Sequence, residues 1–242
     1  LKHQKGSNFQ LYIVIVVDGS TDGTNLMLRS KFPKVIVVKG NGQWWFTKSL
    51  NEGFKFADTL TPDFVLVLND DTEIDNNYIA NLLVEYKKIN QKAIIGSISV
   101  TKEKPHKITY AGMEKISWWR IKRYSYPLVH MHEIDGANSL KLTKTLTARG
   151  TFVPFSILKE LNYFDEISFP QYGSDDDFAL KANRNGIPVF ISSACILYDN
   201  TELTGKGSPR LKPSFQEYTK QMFNRYSPVY IMLNIILAWR YG

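Results

Sequence analysis

The sequence predicts an α/β fold on an open parallel sheet, and three observations carry that prediction. Apolar, β-branched runs of strand length alternate with helix-length segments over the first hundred residues. Two of those runs stop abruptly at acidic clusters, Asp18 and Asn69-Asp70-Asp71, and strand ends are where such sheets hold their ligands. The 242 residues are 43% apolar with one cysteine, enough for a large core without disulfides or a zinc cluster, and too apolar for disorder.

The elements follow in order. Leu11 to Val17, LYIVIVV, reads as a strand buried on both faces. Ser20 or Thr21 is expected to cap a helix carrying Leu26, Met27 and Phe32, and Val35 to Val38 after Pro33 completes a βαβ unit. A helix from about Thr47 to Ala57 leads to the strand Phe64 to Leu68. A helix from Asn76 to Ile89 then leads to the strand Ala93 to Val100. From Thr101 to Thr147 the pattern loosens into hairpins or loops bearing Trp118, Trp119, Tyr124 and Tyr126. Helices at Phe155 to Leu161 and Asp175 to Asn185, and a short strand at Val189 to Ser192, restore the α/β character. Glu202 to Pro213, rich in Gly, Lys and Pro, reads as a mobile loop. No linker divides the chain, so residues 1–225 are expected to form one domain. The closing segment 226–242 is apolar between Val229 and Tyr241 apart from Asn234 and Arg240. A spanning helix needs about 20 apolar residues, so this one is expected to be packed or interfacial.

Thirty basic against 23 acidic residues give a net charge of +7, spread along the chain, which favours anionic partners without choosing among them. The aromatic content of 13% sits largely in polar surroundings and fits a ligand groove as well as a core. Three acidic clusters can carry chemistry. At the end of a strand, Asp18 can accept hydrogen bonds from a base or a sugar, with glycines letting a ligand approach, although caps and turns explain the rest of DGSTDGT. Adjacent carboxylates at Asp70 and Asp71 suit a hard divalent cation that would in turn bind a diphosphate; a polar loop capping the next helix is the alternative. Asp175, Asp176 and Asp177 open a helix, where the dipole favours them. Three carboxylates exceed what capping needs, and one near a substrate hydroxyl could act as general base. The basic, Trp-containing stretch Lys115 to Arg123 suits anions or sugar rings, or is an exposed hairpin face. His106, His130 and His132 read as ordinary surface or groove residues, and Cys195 as a small buried hydrophobe.

Together these residues resemble a glycosyltransferase of the GT-A fold, family 2, close to its rhamnosyltransferase-like branch. VVDGSTDGT, GNGQWWFTKSLNEGF, LNDDT, ARGTFVPFSIL and YGSDDDFALKANRNG carry the resemblance in order and spacing over most of the chain. It implies a GT-A, Rossmann-like fold with a mixed central sheet, its first strand and the following loop lying before Leu1. It implies that Asp18 and Ser20 meet the nucleotide, that Asn41 and Asn51 hold the nucleotide and sugar diphosphate, and that Asn69 and Asp70 meet the donor, Asn69 at the ribose. Asp71 would ligate the metal, with Asp199 replacing the family's late histidine. Asp175 would be the catalytic base. Trp44, Trp45, Arg149, Gly150, Thr151, Asp176 and Asp177 would line the sugar and acceptor side.

The implied reaction is inverting transfer from a UDP-, dTDP- or GDP-sugar, assisted by Mg²⁺ or Mn²⁺, to an oligosaccharide or lipid-linked acceptor in cell-envelope polysaccharide synthesis. The implied setting is the cytoplasm at the inner face of the membrane, with peripheral membrane contact and no nucleic-acid partner. A sugar-phosphate nucleotidyltransferase and a non-catalytic nucleotide- or glycan-binding fragment are the rival readings. The sequence departs from the family pattern in having Asn69 first in the D-x-D motif and Ser174 before Asp175 where many relatives have Glu.

Overall fold

A computed structural model describes residues 1, 3–6, 8–120, 122–126, 139–199 and 214–242. The expected loop 202–213 and the histidines at 130 and 132 lie outside the described residues. Only the second half of the apolar run expected to be a strand buried on both faces forms β1 (Val14–Asp18). Leu11 and Tyr12 are exposed and β1 is buried only at Val17, because its sheet has just two strands among the described residues. From β1, α1 (Thr24–Lys31) returns the chain to β2 (Ile36–Gly40), which pairs parallel with β1. Asp22, not Ser20 or Thr21, holds the start of α1: its carboxylate accepts from the Thr24 amide at 3.0 Å and from the Thr24 hydroxyl at 2.6 Å. Next come α2 (Trp45–Asp58), β3 (Phe64–Val67), β4 (Thr72–Ile74), α3 (Tyr78–Lys87) and β5 (Ile94–Thr101). The acidic cluster after β3 therefore runs into a short strand and does not cap a helix, since α3 starts later, after Asn77.

The loosely patterned middle yields β6 (Ile108–Tyr110), the hairpin β7 (Met113–Ser117) and β8 (Lys122–Ser125), and β9 (Leu140–Leu142). Then follow β10 (Thr151–Pro154), α4 (Phe155–Glu160), α5 (Ser174–Arg184), β11 (Val189–Asp199), α6 (Phe215–Met222) and α7 (Ile231–Tyr241).

The large sheet is mixed, with order β3-β10-β5-β11-β4, β6 on β5 and β9 on β11. The parallel sheet expected from alternation alone is corrected at β10, which runs antiparallel to both β3 and β5, and at β4, antiparallel to β11. Both strands are three or four residues long and lack the β-branched run that marks a strand in sequence. The strand expected at Val189 to Ser192 continues to Asp199, past a register shift between Ser192 and Ile196. Among the described residues, β1 and β2 form a separate two-stranded sheet, and α2 lies over both sheets. Its Gly53 abuts the Val16 side chain, while Phe46, Leu50 and Ala57 pack on the core around Val67 and Val153.

Period-two alternation divides the core. Ile94, Ile98 and Val153 face α2, α4 and α5, whereas Ile95, Phe152 and Leu197 face α3, with Cys195 buried among them. A third cluster joins α7 to the domain, where Leu233 and Leu237 meet Phe169 and Leu180.

Candidate active site

The site is built where strand ends meet the start of α5. Asp18 ends β1, and its carboxylate accepts from the amides of Gly42 at 2.6 Å, Trp44 at 2.7 Å and Trp45 at 3.2 Å. A side chain 26 residues away thus supplies the charge that the first turn of α2 lacks. The contact demands glycine twice. A Cβ on Gly40 would lie 2.3 Å from the Asp18 carboxylate, and one on Gly19, whose φ is +73°, would lie 2.5 Å from the Gly42 backbone. Asn41 accepts from the Gln43 amide in the same turn, and Ser20 is exposed beside it. Trp45 sits at φ +57°, a strained region for a bulky residue, and stacks on Tyr226 with ring centroids 4.1 Å apart. Asp18→Ala is expected to lower stability by about 1–2 kcal/mol, read from urea denaturation, because the amides at the head of α2 lose their acceptor.

The start of α2 is joined directly to the loop before α5. The Thr47 amide donates to Pro170 O at 3.0 Å, its hydroxyl bonds the Phe169 carbonyl and the Ser174 hydroxyl, and the Phe46 amide donates to Gln171 Oε1 at 3.0 Å. Asn51, only 5% exposed, spends its amide on this region too, bonding Phe164 N–H and C=O and Glu166 Oε2. Ser174, the residue before Asp175, is therefore bonded to the first turn of α2 although 127 residues separate it from Thr47.

The three carboxylates of α5 have separate surroundings. Asp175 accepts from the Ala148 amide at 3.2 Å and from the Asp176 amide at 3.0 Å. Asp176, with a side chain 14% exposed, pairs with Arg123 from β8. Asp177 is wholly buried and pairs at 2.8 Å with Arg240 of α7, while the Tyr241 hydroxyl donates to the same oxygen. Burial pushes Asp175 above the usual carboxylate range against the opposing N–H bonds from Asp176 and Ala148. Burial and then the neighbouring Asp175 charge push Asp176 up to about 7, with Arg123 opposing. Two crowded carboxylates share one guanidinium, so the pair holds a proton more readily than either would alone.

The acidic cluster after β3 joins the same site through β11. Thr72, the residue after Asp71, lies opposite Asp199 in the β4–β11 register. Arg149 pairs with Asp199 at 2.9 Å and Thr109 donates to its other oxygen at 2.8 Å. Since Ala148 contacts Asp175 and Arg149 contacts Asp199, one dipeptide ties the two acidic clusters together. Asp71 Oδ1 is buried with no hydrogen-bond partner among the described residues, the condition a divalent cation would relieve. Asp70 is exposed, and the Asn69 carbonyl accepts from the Thr72 hydroxyl. Among the described residues no three His, Cys, Asp or Glu side chains converge, so a cation at Asp71 would need oxygens from its ligand. Gly150 has φ +76° and is packed against Leu197 and Ser97, and Thr151 is buried with its hydroxyl on the Thr147 carbonyl.

Sequence reading missed Thr47, Gln171 and Tyr226, which are ordinary residues until folded. Arg240 carried a legible signal: a lone charge in an apolar helix implies a buried partner.

Residues 1–142 match the family described as Glycosyl transferase family 2. No curated protein sequence matches the chain. Among solved structures, GalNAc-T7 with UDP, GalNAc and Mn²⁺ is similar with a TM-score of 0.62 at 12% identity, over 78% of this chain and 37% of that one. A structure of S. aureus TarS 1-349 is similar with a TM-score of 0.56 at 16% identity, over 83% of this chain and 54% of that one. A second S. aureus TarS structure gives a TM-score of 0.51 at 16% identity, over 78% and 32%. The likeness is one of fold, GT-A, and the chain spans about a third to about half of the length of these structures.

Proposed function

The chain belongs to glycosyl transferase family 2, and from that premise we propose that it transfers a sugar, with inversion, from a nucleotide-sugar donor to a glycan or lipid-linked acceptor, using Asp175 as general base. The observation that carries this reading is the placement of Asp175. Its carboxylate is aimed by the Ala148 amide, follows Ser174, which is bonded to the first turn of the helix that Asp18 caps, and is made more basic by burial.

In the proposed reaction Asp175 takes the proton of an acceptor hydroxyl as that oxygen bonds to the anomeric carbon. The bond from that carbon to the diphosphate breaks on the opposite face, and the electron pair leaves with the nucleoside diphosphate. The loop from Gly40 to Trp45 presents exposed Asn41 and half-exposed Trp45 toward the donor, and Arg149 places positive charge between the two acidic clusters. Asp71, with its unpartnered oxygen, would hold Mg²⁺ or Mn²⁺, which offsets charge on a leaving diphosphate. The UDP and Mn²⁺ of the GalNAc-T7 structure support a nucleotide and a divalent cation at such a fold.

Titration with UDP-, dTDP- and GDP-sugars in the presence of Mn²⁺ tests the reading. One donor is expected to bind and to release its nucleoside diphosphate when acceptor is added. Asp71→Ala is expected to remove the Mn²⁺ dependence of nucleotide affinity, seen by calorimetry with and without chelator. Pyrophosphate release from a sugar phosphate and a nucleoside triphosphate would instead identify a nucleotidyltransferase.

A further inference from the structure

α7 is apolar on both sides, and only one side is covered. Leu233 and Leu237 point into the domain, whereas Ile231, Met232, Ile235 and Trp239 recur at helical spacing on the opposite face and are all 40% exposed or more, Trp239 reaching 86%. A helix apolar all round is at home in a core or against lipid, and a contiguous patch of this kind on a protein surface marks an interaction site. Beside the C-terminal end of α7 packs the β7–β8 hairpin, through Ile116 and Trp118. The turn of that hairpin leaves Trp119 97% exposed. The preceding α6 buries no residue and leaves Phe215 and Phe223 exposed.

Basic residues predominate among the charges around this face. Residues 226–242 contain no Asp or Glu, and the hairpin adds exposed Lys115, Arg120 and Lys122 against a single acid, Glu114. Lys144 and Arg184 line a cavity of about 490 Å³ between Trp118, Tyr241 and α5. Exposed tryptophans next to cations suit the headgroup level of a bilayer, where an indole finds both an apolar and a wet neighbour and each cation meets anionic lipid. The outer face of α7 offers none of the polar groups found at the rim of a non-obligate protein interface. The 11 described residues of α7 cover about 16 Å, and their inner side is packed on the domain. No described helix is long and apolar enough to cross a membrane.

We propose that the outer face of α7, with the adjacent β7–β8 turn, docks in the plane of an anionic lipid bilayer. Arg240 and Tyr241, on the inner side of the same helix, hold Asp177 in the first turn of α5. Docking would therefore set the carboxylate helix against the membrane and favour a lipid-linked acceptor, a consequence that alone rests on the transferase reading. Lipid binding stands without it.

The test is flotation of the purified protein with phosphatidylcholine vesicles and with vesicles that also contain phosphatidylglycerol, read without any donor. Binding is expected to the anionic vesicles, to weaken with salt, and to fall at least about tenfold in Ile235→Asp/Trp239→Asp with the melting temperature unchanged. Should that variant unfold, quenching of tryptophan fluorescence by brominated lipid, lost in Trp119→Phe/Trp239→Phe, carries the same result. Absence of binding to either vesicle, undiminished binding by the variants, or a dimer in sedimentation that the same substitutions dissociate would overturn the proposal, the last assigning the face to a second copy.

Discussion

Asp175→Asn lowers the rate of sugar transfer by about 10²–10⁴-fold and leaves nucleotide affinity unchanged. The amide keeps the shape of the carboxylate and can still accept from Ala148 N–H, so the loss isolates proton transfer. The neighbouring charges set the pH dependence. A general base must be ionised to act, and burial raises Asp175 while burial and the Asp175 charge bring Asp176 to about 7. Activity therefore rises with pH through the neutral range as the pair sheds its shared proton. Arg123 opposes both shifts. Arg123→Gln should accordingly move the rising limb of kcat/KM to higher pH. A limb that stays in place, or transfer that survives Asp175→Asn, would remove Asp175 from the role of base.

Arg240→Met destabilises the fold by about 3–5 kcal/mol. Asp177 has no exposed surface, its Oδ2 is already without a hydrogen-bond partner among the described residues, and its Oδ1 depends on Arg240 and the Tyr241 hydroxyl. Removing the guanidinium leaves a buried carboxylate that water cannot reach. The same guanidinium bonds Asp165 and Ser168 at 2.8 Å, so three segments loosen together. Asp177→Asn/Arg240→Met is expected to recover part of the loss, because the orphaned charge goes with its partner. Urea denaturation of the three variants gives the answer; equal stability of Arg240→Met and the parent would show that the pair contributes nothing. Burial opposes the charge of Asp165, but hydrogen bonds from Ser168 and from Arg240 hold it below the usual carboxylate range. A lowered carboxylate adds stability that is complete above that range and is lost as pH falls through its own folded value. Arg240→Met should therefore also flatten the acid side of the stability profile.

What the sequence by itself determined is local. The β-branched run ending at Asp18 was legible as a strand, being too short for most helices, although only Val14 to Asp18 forms one and Leu11 and Tyr12 stay exposed. The order of five motifs sufficed for the family, and the acidic turn of α5 was legible because three carboxylates exceed the needs of a cap. The antiparallel β10 was not legible: Thr151 to Pro154 is strand only because β3 and β5 flank it. Nor could the sequence divide labour among Asp175, Asp176 and Asp177, whose residue type and helix position are nearly the same. Their partners are Ala148, Arg123 and Arg240, which lie 27, 53 and 63 residues away. Only the tertiary structure decided which of the three accepts from the Ala148 amide, which shares a cation and which anchors α7, because a carboxylate takes its chemistry from charges and donors within a few ångströms, and chain folding alone brings those together.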